Sequence, residues 1–353
     1  MGNKKPEIEA TETKGMVYKI AIPIIIGFIV IFFLFRKDFN TETFRQIHFT
    51  WLAIPGFLFI LCAIFLREFG MAWRFNILTS GALNFKKSFI TTFLCEFTSC
   101  ITPTSVGGSA LSMIFMNREG VNMGKATTYT LTILFLDNLF YTLLVPLIMI
   151  FTDAASIFDL AGGGLEKGLR SVFWVAYGAM AFITVILGLG IFFIPLVLRK
   201  SLMKLFSIKI LSRFLPKIEE TTRNMIVASH EVKNMPWLWW SKAFGATVIS
   251  WVGRFLVVNA IFFAILPSSP QFEIFCRQIV VWTLLMFTPT PGGSGISEWL
   301  FNKYYFDLIP GHGVVMVIAL LWRIFTYYIY LIIGVCLIPR FFKKKKYDQL
   351  SER

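Results

Sequence analysis

Charge is scarce in this sequence. Only 15% of its 353 residues are Asp, Glu, Lys or Arg, while 56% are apolar and 17% aromatic, and a soluble globular surface cannot be covered from that supply. With a mean hydropathy of +0.69, the membrane is the remaining class. Histidine and cysteine are also few. The three histidines, His48, His230 and His312, are scattered near loops, and the five cysteines, Cys62, Cys95, Cys100, Cys276 and Cys336, fall inside apolar runs without metal-ligand spacing. They read as small packing residues, so neither a disulfide nor a metal site is expected. Walker, HExxH and cysteine-zinc patterns are absent, nothing points to ATP hydrolysis, and no cofactor or catalytic residue is expected.

Acidic residues are scarcer than basic ones, 20 against 34, which leaves a net charge of +14. The basic residues border apolar runs instead of lining one soluble face, so anionic or phosphate-bearing lipid headgroups are the expected partner and nucleic acid is not. The run Arg340 to Lys346 (RFFKKKK) follows the last apolar segment. It reads first as a topology signal under the positive-inside rule, with a cluster attracted to an anionic leaflet as the other reading.

What the chain has in quantity is long apolar runs. Six spans of the length needed to cross about 30 Å of hydrocarbon are drawn at 17–35, 48–73, 126–152, 170–198, 237–266 and 312–338. The run Val17 to Phe35 is too long for a signal-peptide core and lacks a cleavage site, so it is expected to stay as an anchor, with the mature chain starting near Met1. Two further apolar stretches, 85–118 and 268–305, are broken by TPTSVGG (Thr102 to Gly108) and TPTPGG (Thr288 to Gly293). Each reads as two half-helices forming a re-entrant hairpin, with two short full spans as the rival; broken backbone survives at membrane depth only beside protein or a watery cavity.

Charge sets orientation. Arg199, Lys200, Lys204, Lys209, Arg213, Lys217 and Arg223 crowd the linker at 199–232, whereas the loop at 152–168 carries Asp153, Asp159 and Glu166 against Lys167. The first is expected to be cytoplasmic and the second external. Both termini are then cytoplasmic, with only the loop holding Arg36, Lys37 and Arg45 fitting poorly. The basic amphipathic segment Ser201 to Phe214 reads as an interfacial helix, or simply an elbow.

The two breaks share T-P-T followed by G-G-S, and their surroundings match as well. Arg67 lies 40 residues before Gly107 and Arg254 lies 38 before Gly292; Asp137 lies 30 after Gly107 and Arg323 lies 31 after Gly292. The repeating unit is span, hairpin, span: 48–152 and 237–338, joined by a linking span and basic segment at 170–235, with 17–35 peripheral and 339–353 a basic tail. By the charge rule the two units run in opposite directions. The predicted fold is therefore an all-α polytopic membrane domain, an inverted-topology repeat of about six spans and two hairpins, a plan many secondary transporters use to put a site at the bilayer midplane.

Ionisable residues inside spans carry the functional signal, because each is costly there and is retained for a partner or pathway. Arg254, Arg67 and Arg323 offer guanidinium forks to a phosphate. Asp137 and Arg323 read either as substrate contacts or as a structural pair neutralising each other across the repeat axis. Arg67, Glu68 and Arg74 are placed at the inner end of their span, as headgroup contacts or as a solvated interfacial cluster. Gly107, Gly108, Gly292 and Gly293 precede or open half-helices whose free N–H groups favour an anion, although a tight turn alone would also select them. Glu298 carries a proton, holds an amine headgroup, or complements the helix dipole.

These elements resemble the flippase-like, lysylphosphatidylglycerol-synthase transmembrane-region family of UPF0104-type integral membrane proteins. The likeness rests on the arginine-bearing span with Arg74, on Pro103 and Gly107-Gly108, on the span with Asp137, and above all on P-T-P-G-G-x-G-x-x-E at Pro289 to Glu298. Full members join such a region to a cytoplasmic aminoacyl transferase, for which a chain ending at Arg353 has no room. The resemblance implies translocation of a polar-headed lipid, in a bacterial inner (plasma) membrane, without its synthesis. The alternatives are a membrane enzyme acting on headgroups or lipid-linked sugars with Glu68 or Glu96 as acid or base, and a scaffold for a separately encoded synthase; homo-oligomer formation stays open.

Overall fold

Prolines, glycines and asparagines punctuate the apolar runs, and Asn84, Asn122, Pro236, Pro270 and Gly295 stand at the start of helices. The computed structural model describes residues 51–102, 106–152, 157–158, 165–192, 226–309, 312–338 and 341. The span expected at 17–35, the basic Ser201 to Phe214 segment and all of the basic tail except Phe341 lie outside them. Among the described residues the helices that frame the fold are α1 (Ala53–Leu78), α2 (Phe85–Ile101), α3 (Val106–Arg118), α4 (Met123–Phe151), α5 (Leu165–Phe192), α6 (Trp237–Ile265), α7 (Gln271–Leu285) and α8 (Ile296–Tyr305). The last, α9, begins with His312–Arg323, passes through a π-helical turn at Ile324–Tyr328 and continues to residue 338.

Five helices are long and apolar enough to cross a membrane: α1, α4, α5 from Lys167, α6 and α9 from Gly313. Their outward residues show what they face. On α1, Ile54, Leu58, Leu61 and Phe65 form an exposed apolar stripe, while Gly56, Ile60, Ala63, Arg67, Met71 and Arg74 are buried on the other side. Water would penalise that stripe and hydrocarbon does not. The helix also runs to Leu78, past the sequence-predicted end at 73, until Ser80 and Gly81 adopt positive φ and stop it. Arg67, Glu68 and Arg74 are consequently interior, each under 5% exposed. The expectation of a solvated cluster at a helix end is corrected: neighbouring helices supply the partners that water would otherwise give.

Antiparallel packing of α1 on α6 is the spine of the fold. Gly56 meets Ala264 at one end, Gly70 meets Ser250 further along, and the Trp239 indole donates to the Ile77 carbonyl at 3.0 Å at the other end. Small residues make the approach close: a Cβ on Gly70 would lie 2.5 Å from the Ser250 nitrogen, and one on Gly253 2.5 Å from the Arg67 nitrogen. Lipid-soluble helices gain most of their association from such close packing, since no water is expelled between them.

The two broken segments form hairpins with tied feet. Lys87 near the start of α2 pairs with Glu119 just beyond α3 at 3.1 Å. On the second, Arg277 of α7 donates to Asp307 at 2.6 and 2.7 Å, to Glu273 at 2.5 Å and to the Tyr304 carbonyl, closing α7 onto the end of α8. Because α2 follows the end of α1 by a short turn, α7 follows the end of α6, and α1 and α6 are antiparallel, the hairpins start from opposite ends of the bundle. Their breaks meet. The Gly292 N–H donates to the Thr102 carbonyl at 3.3 Å. Arg277→Ala would strip three acceptors of one buried donor, and the expected loss is about 1.5–3 kcal/mol, read as a lower melting temperature in detergent; an unchanged melt would show the clamp idle.

Helix α5 leans on α4 from outside, with the Thr142 and Thr184 hydroxyls 3.1 Å apart and the Tyr177 hydroxyl donating to the Thr142 carbonyl at 3.1 Å. Its Val172, Val175, Phe182, Val185 and Ile186 are exposed. It takes no part in the central cavity.

Candidate functional site

Beside the contact of Gly292 with Thr102 a space opens. A cavity with about 870 Å³ of empty space, solvent included, is bounded by α1, α2, α3, α4, α6, α7, the second break and α9. Arg74, Arg254, Arg323, Glu96 and Asp137 reach it, together with Trp251, Trp282, Trp322, Tyr327, Ser99, Ser109 and Ser250. Asp137 is the central residue of the 29-residue α4, and Arg254 and Arg323 are near the middle of α6 and α9. The site therefore sits at mid-depth.

Each arginine has an identifiable partner. Arg74 bonds Asp137 at 2.5 Å and the Thr247 hydroxyl at 3.2 Å, and Asp137 also accepts from the Trp251 indole at 2.8 Å. Arg323 lies 2.9 Å from Glu298 and donates to the Gly292 carbonyl at 3.0 Å and the Ser294 hydroxyl at 3.1 Å, with its guanidinium 3.9 Å from the Tyr327 ring centre. Arg254 hydrogen-bonds Glu96 and stands 5.0 Å from the ring centres of both Trp251 and Trp282. Arg67, just behind the cavity, shares Glu96, faces Glu68 at 3.3 Å and lies over the Tyr330 ring. Cations held between carboxylates and aromatic faces keep their charge at low dielectric. Four guanidinium groups stand against four carboxylates.

This geometry separates the two readings of Asp137 and Arg323. They do not pair with each other: Asp137 belongs to Arg74 and Arg323 to Glu298, because the second break carries its own acid and α1 brings Arg74 to α4. The glycines divide too. Gly292 and Gly293 line the cavity at φ +56° and +69°, and a Cβ on Gly292 would collide with the Tyr327 ring at 2.2 Å. Gly108 is instead a packing residue of α3 against α2, where a Cβ would meet the Ser99 hydroxyl and the Cys95 carbonyl; Gly107 lies at the start of α3. The positive end of α8 is already occupied, since Glu298 accepts from the Gly295 N–H at 2.7 Å and from the Ser297 hydroxyl at 2.9 Å. An anion at this site meets side chains, not a bare helix end.

Some donors keep capacity. The Arg254 Nε and the indole Nε1 atoms of Trp282 and Trp322, the latter 1% exposed, find no hydrogen-bond partner among the described residues. All three residues line the cavity, and a buried orphan donor there is suited to an oxygen-rich ligand. Sequence reasoning missed the tryptophans. Trp251 stands three residues before Arg254 and Trp322 next to Arg323, a neighbourhood that could have marked them; the π-helical turn after Arg323, of a kind frequent at functional sites, had no signal.

The model of the lysylphosphatidylglycerol synthase transmembrane region matches residues 20–334. The chain belongs to that family. A UPF0104 membrane protein of Archaeoglobus fulgidus is 24% identical over 300 residues, covering 81% of this chain and 88% of its own. No solved structure matches significantly. Family membership and the five apolar helices make the chain a multi-pass membrane protein. The P-T-P-G-G-x-G-x-x-E stretch that carried the sequence resemblance is the second break itself, whose last acid locks Arg323 onto Gly292.

Proposed function

We propose that this protein is a flippase-like carrier that moves a phosphate-bearing lipid headgroup between leaflets, in a plasma membrane with both termini cytoplasmic. The carrying observation is the mid-depth cavity in which Arg254 presents an unsatisfied Nε beside two tryptophans, next to the contact between Thr102 and Gly292. A phosphate is matched by guanidinium forks and indole donors, and acyl chains can stay in hydrocarbon while the headgroup passes between the hairpins. In this reading the two span-hairpin-span units form an inverted repeat that rocks about the α1–α6 spine, with 17–35 as a sixth span. No step requires a catalytic residue.

The test is a proteoliposome assay of headgroup transfer with tail-labelled phosphatidylglycerol, quenched from outside. Wild type is expected to transfer it, and Arg254→Ala, in a protein that still elutes as one species, to transfer at least tenfold more slowly. Transfer unchanged in that variant, or a chemically altered headgroup in place of transfer, would sink the proposal.

A further inference from the structure

Charge balance in the cavity constrains what must accompany an anion. Glu96 is shared by Arg67 and Arg254, and Arg67 is in turn shared with Glu68. The Tyr330 hydroxyl donates to one Glu68 oxygen at 2.6 Å, while the other, Oε2, is buried with no hydrogen-bond partner among the described residues. The groups facing this carboxylate pair come from four helices: Arg67 from α1, Cys95 and Cys100 beside Glu96 on α2, Arg254 from α6 and Tyr330 from α9. Arg74 and Arg323, further round the cavity, are held by Asp137 and Glu298. In their ordinary ionised forms Arg67, Arg254, Glu68 and Glu96 sum to zero.

A phosphate that engages Arg254 takes that cation from Glu96. Two carboxylates are then left on Arg67 alone, an uncompensated negative charge where the dielectric is low and unpaired charge is strongly disfavoured. One proton cancels it, since two carboxylates close together and short of one cation bind a proton as a unit. We propose that binding of a phosphate-bearing headgroup at Arg254 is coupled to uptake of one proton by the Glu68–Glu96 pair, so that lipid and proton cross together. The proton comes from water on the loading side, adds to a carboxylate oxygen with Glu68 Oε2 as the open position, and leaves when Arg254 returns to Glu96. This coupling rests on the carrier reading. By linkage, anion affinity then falls as pH rises through the pair's titration, by up to tenfold per unit.

Titrating the full chain in nanodiscs with dihexanoyl-phosphatidylglycerol, by calorimetry in two buffers of different ionisation enthalpy, counts the protons. The expected count is close to one per lipid bound, with affinity weakening up to tenfold per pH unit. In Glu68→Gln, Arg67 still neutralises Glu96 after Arg254 departs, so binding is expected to persist, without proton uptake and nearly independent of pH. Binding with no proton taken up by wild type would overturn the coupling and leave the carrier reading intact, an outcome that needs no variant to fold. Neither binding nor transfer of phosphatidylglycerol would overturn the carrier reading for such lipids, and the coupling with it.

Discussion

Replacing Gly70 by leucine is expected to leave no folded protein. The crossing of α1 and α6 is built on backbone approach: a Cβ at Gly70 would lie 2.5 Å from the Ser250 nitrogen and 2.7 Å from the Ala246 carbonyl, atoms that cannot rotate away as a side-chain tip can. The helices would have to part, and with them would go the Ser250 hydroxyl bond to the Arg67 carbonyl at 3.0 Å and the Glu96 bridge between Arg67 and Arg254. Overpacking of this kind costs about 3 kcal/mol or more where nothing can yield. Gly245→Ala on the same helix as Ser250 is the control, because a Cβ there meets nothing within 4 Å and alanine improves a helix interior by about 0.5–1 kcal/mol. Size-exclusion profiles and melting curves in detergent should separate the two, with Gly70→Leu aggregating and Gly245→Ala unchanged or more stable. A Gly70→Leu protein as monodisperse and heat-resistant as the control would refute the close crossing.

Arg74→Met is the second large effect. It removes the cation from Asp137, which is only 7% exposed and would keep just the Trp251 indole as partner. Breaking one side of a buried pair costs about 3–5 kcal/mol, most of it the penalty of the charge left behind. Arg74→Met with Asp137→Asn removes both charges, so the double variant is expected to regain most of the lost stability. That recovery is the diagnostic result. A double variant no more stable than Arg74→Met would mean that Arg74 matters through its packing, or its bond to Thr247, and not through Asp137.

Much of the helix plan was readable in the linear sequence. The span 237–266 and the hairpin halves 85–118 fall within a few residues of Trp237–Ile265, Phe85–Ile101 and Val106–Arg118, because apolar length and Pro-Gly breaks act locally. The end of α1 was misplaced for the opposite reason. A run holding Arg67, Glu68 and Arg74 looks like the edge of a span when its partners are unknown, and those partners, Glu96 for Arg67, Asp137 for Arg74 and Tyr330 for Glu68, lie 29, 63 and 262 positions away. The site residues divided likewise: Arg74, Arg254, Arg323, Asp137, Gly292 and Gly293 could be picked out as ionisable or break residues, and all line the cavity. Trp282 could not, among ten tryptophans in an aromatic-rich chain, and Trp251 and Trp322 had only their nearness to Arg254 and Arg323 to mark them.

The linear sequence was enough to read a membrane protein with arginines and carboxylates in its apolar runs and two stretches broken by proline and glycine, since hydrophobic length and backbone chemistry are properties of neighbouring residues. Which charge answers which came from the packing: Asp137 with Arg74 instead of Arg323, Glu298 on Arg323 and the end of α8, Glu96 between Arg67 and Arg254. Ion pairing depends on distance through a low-dielectric interior, and helix packing alone sets that distance.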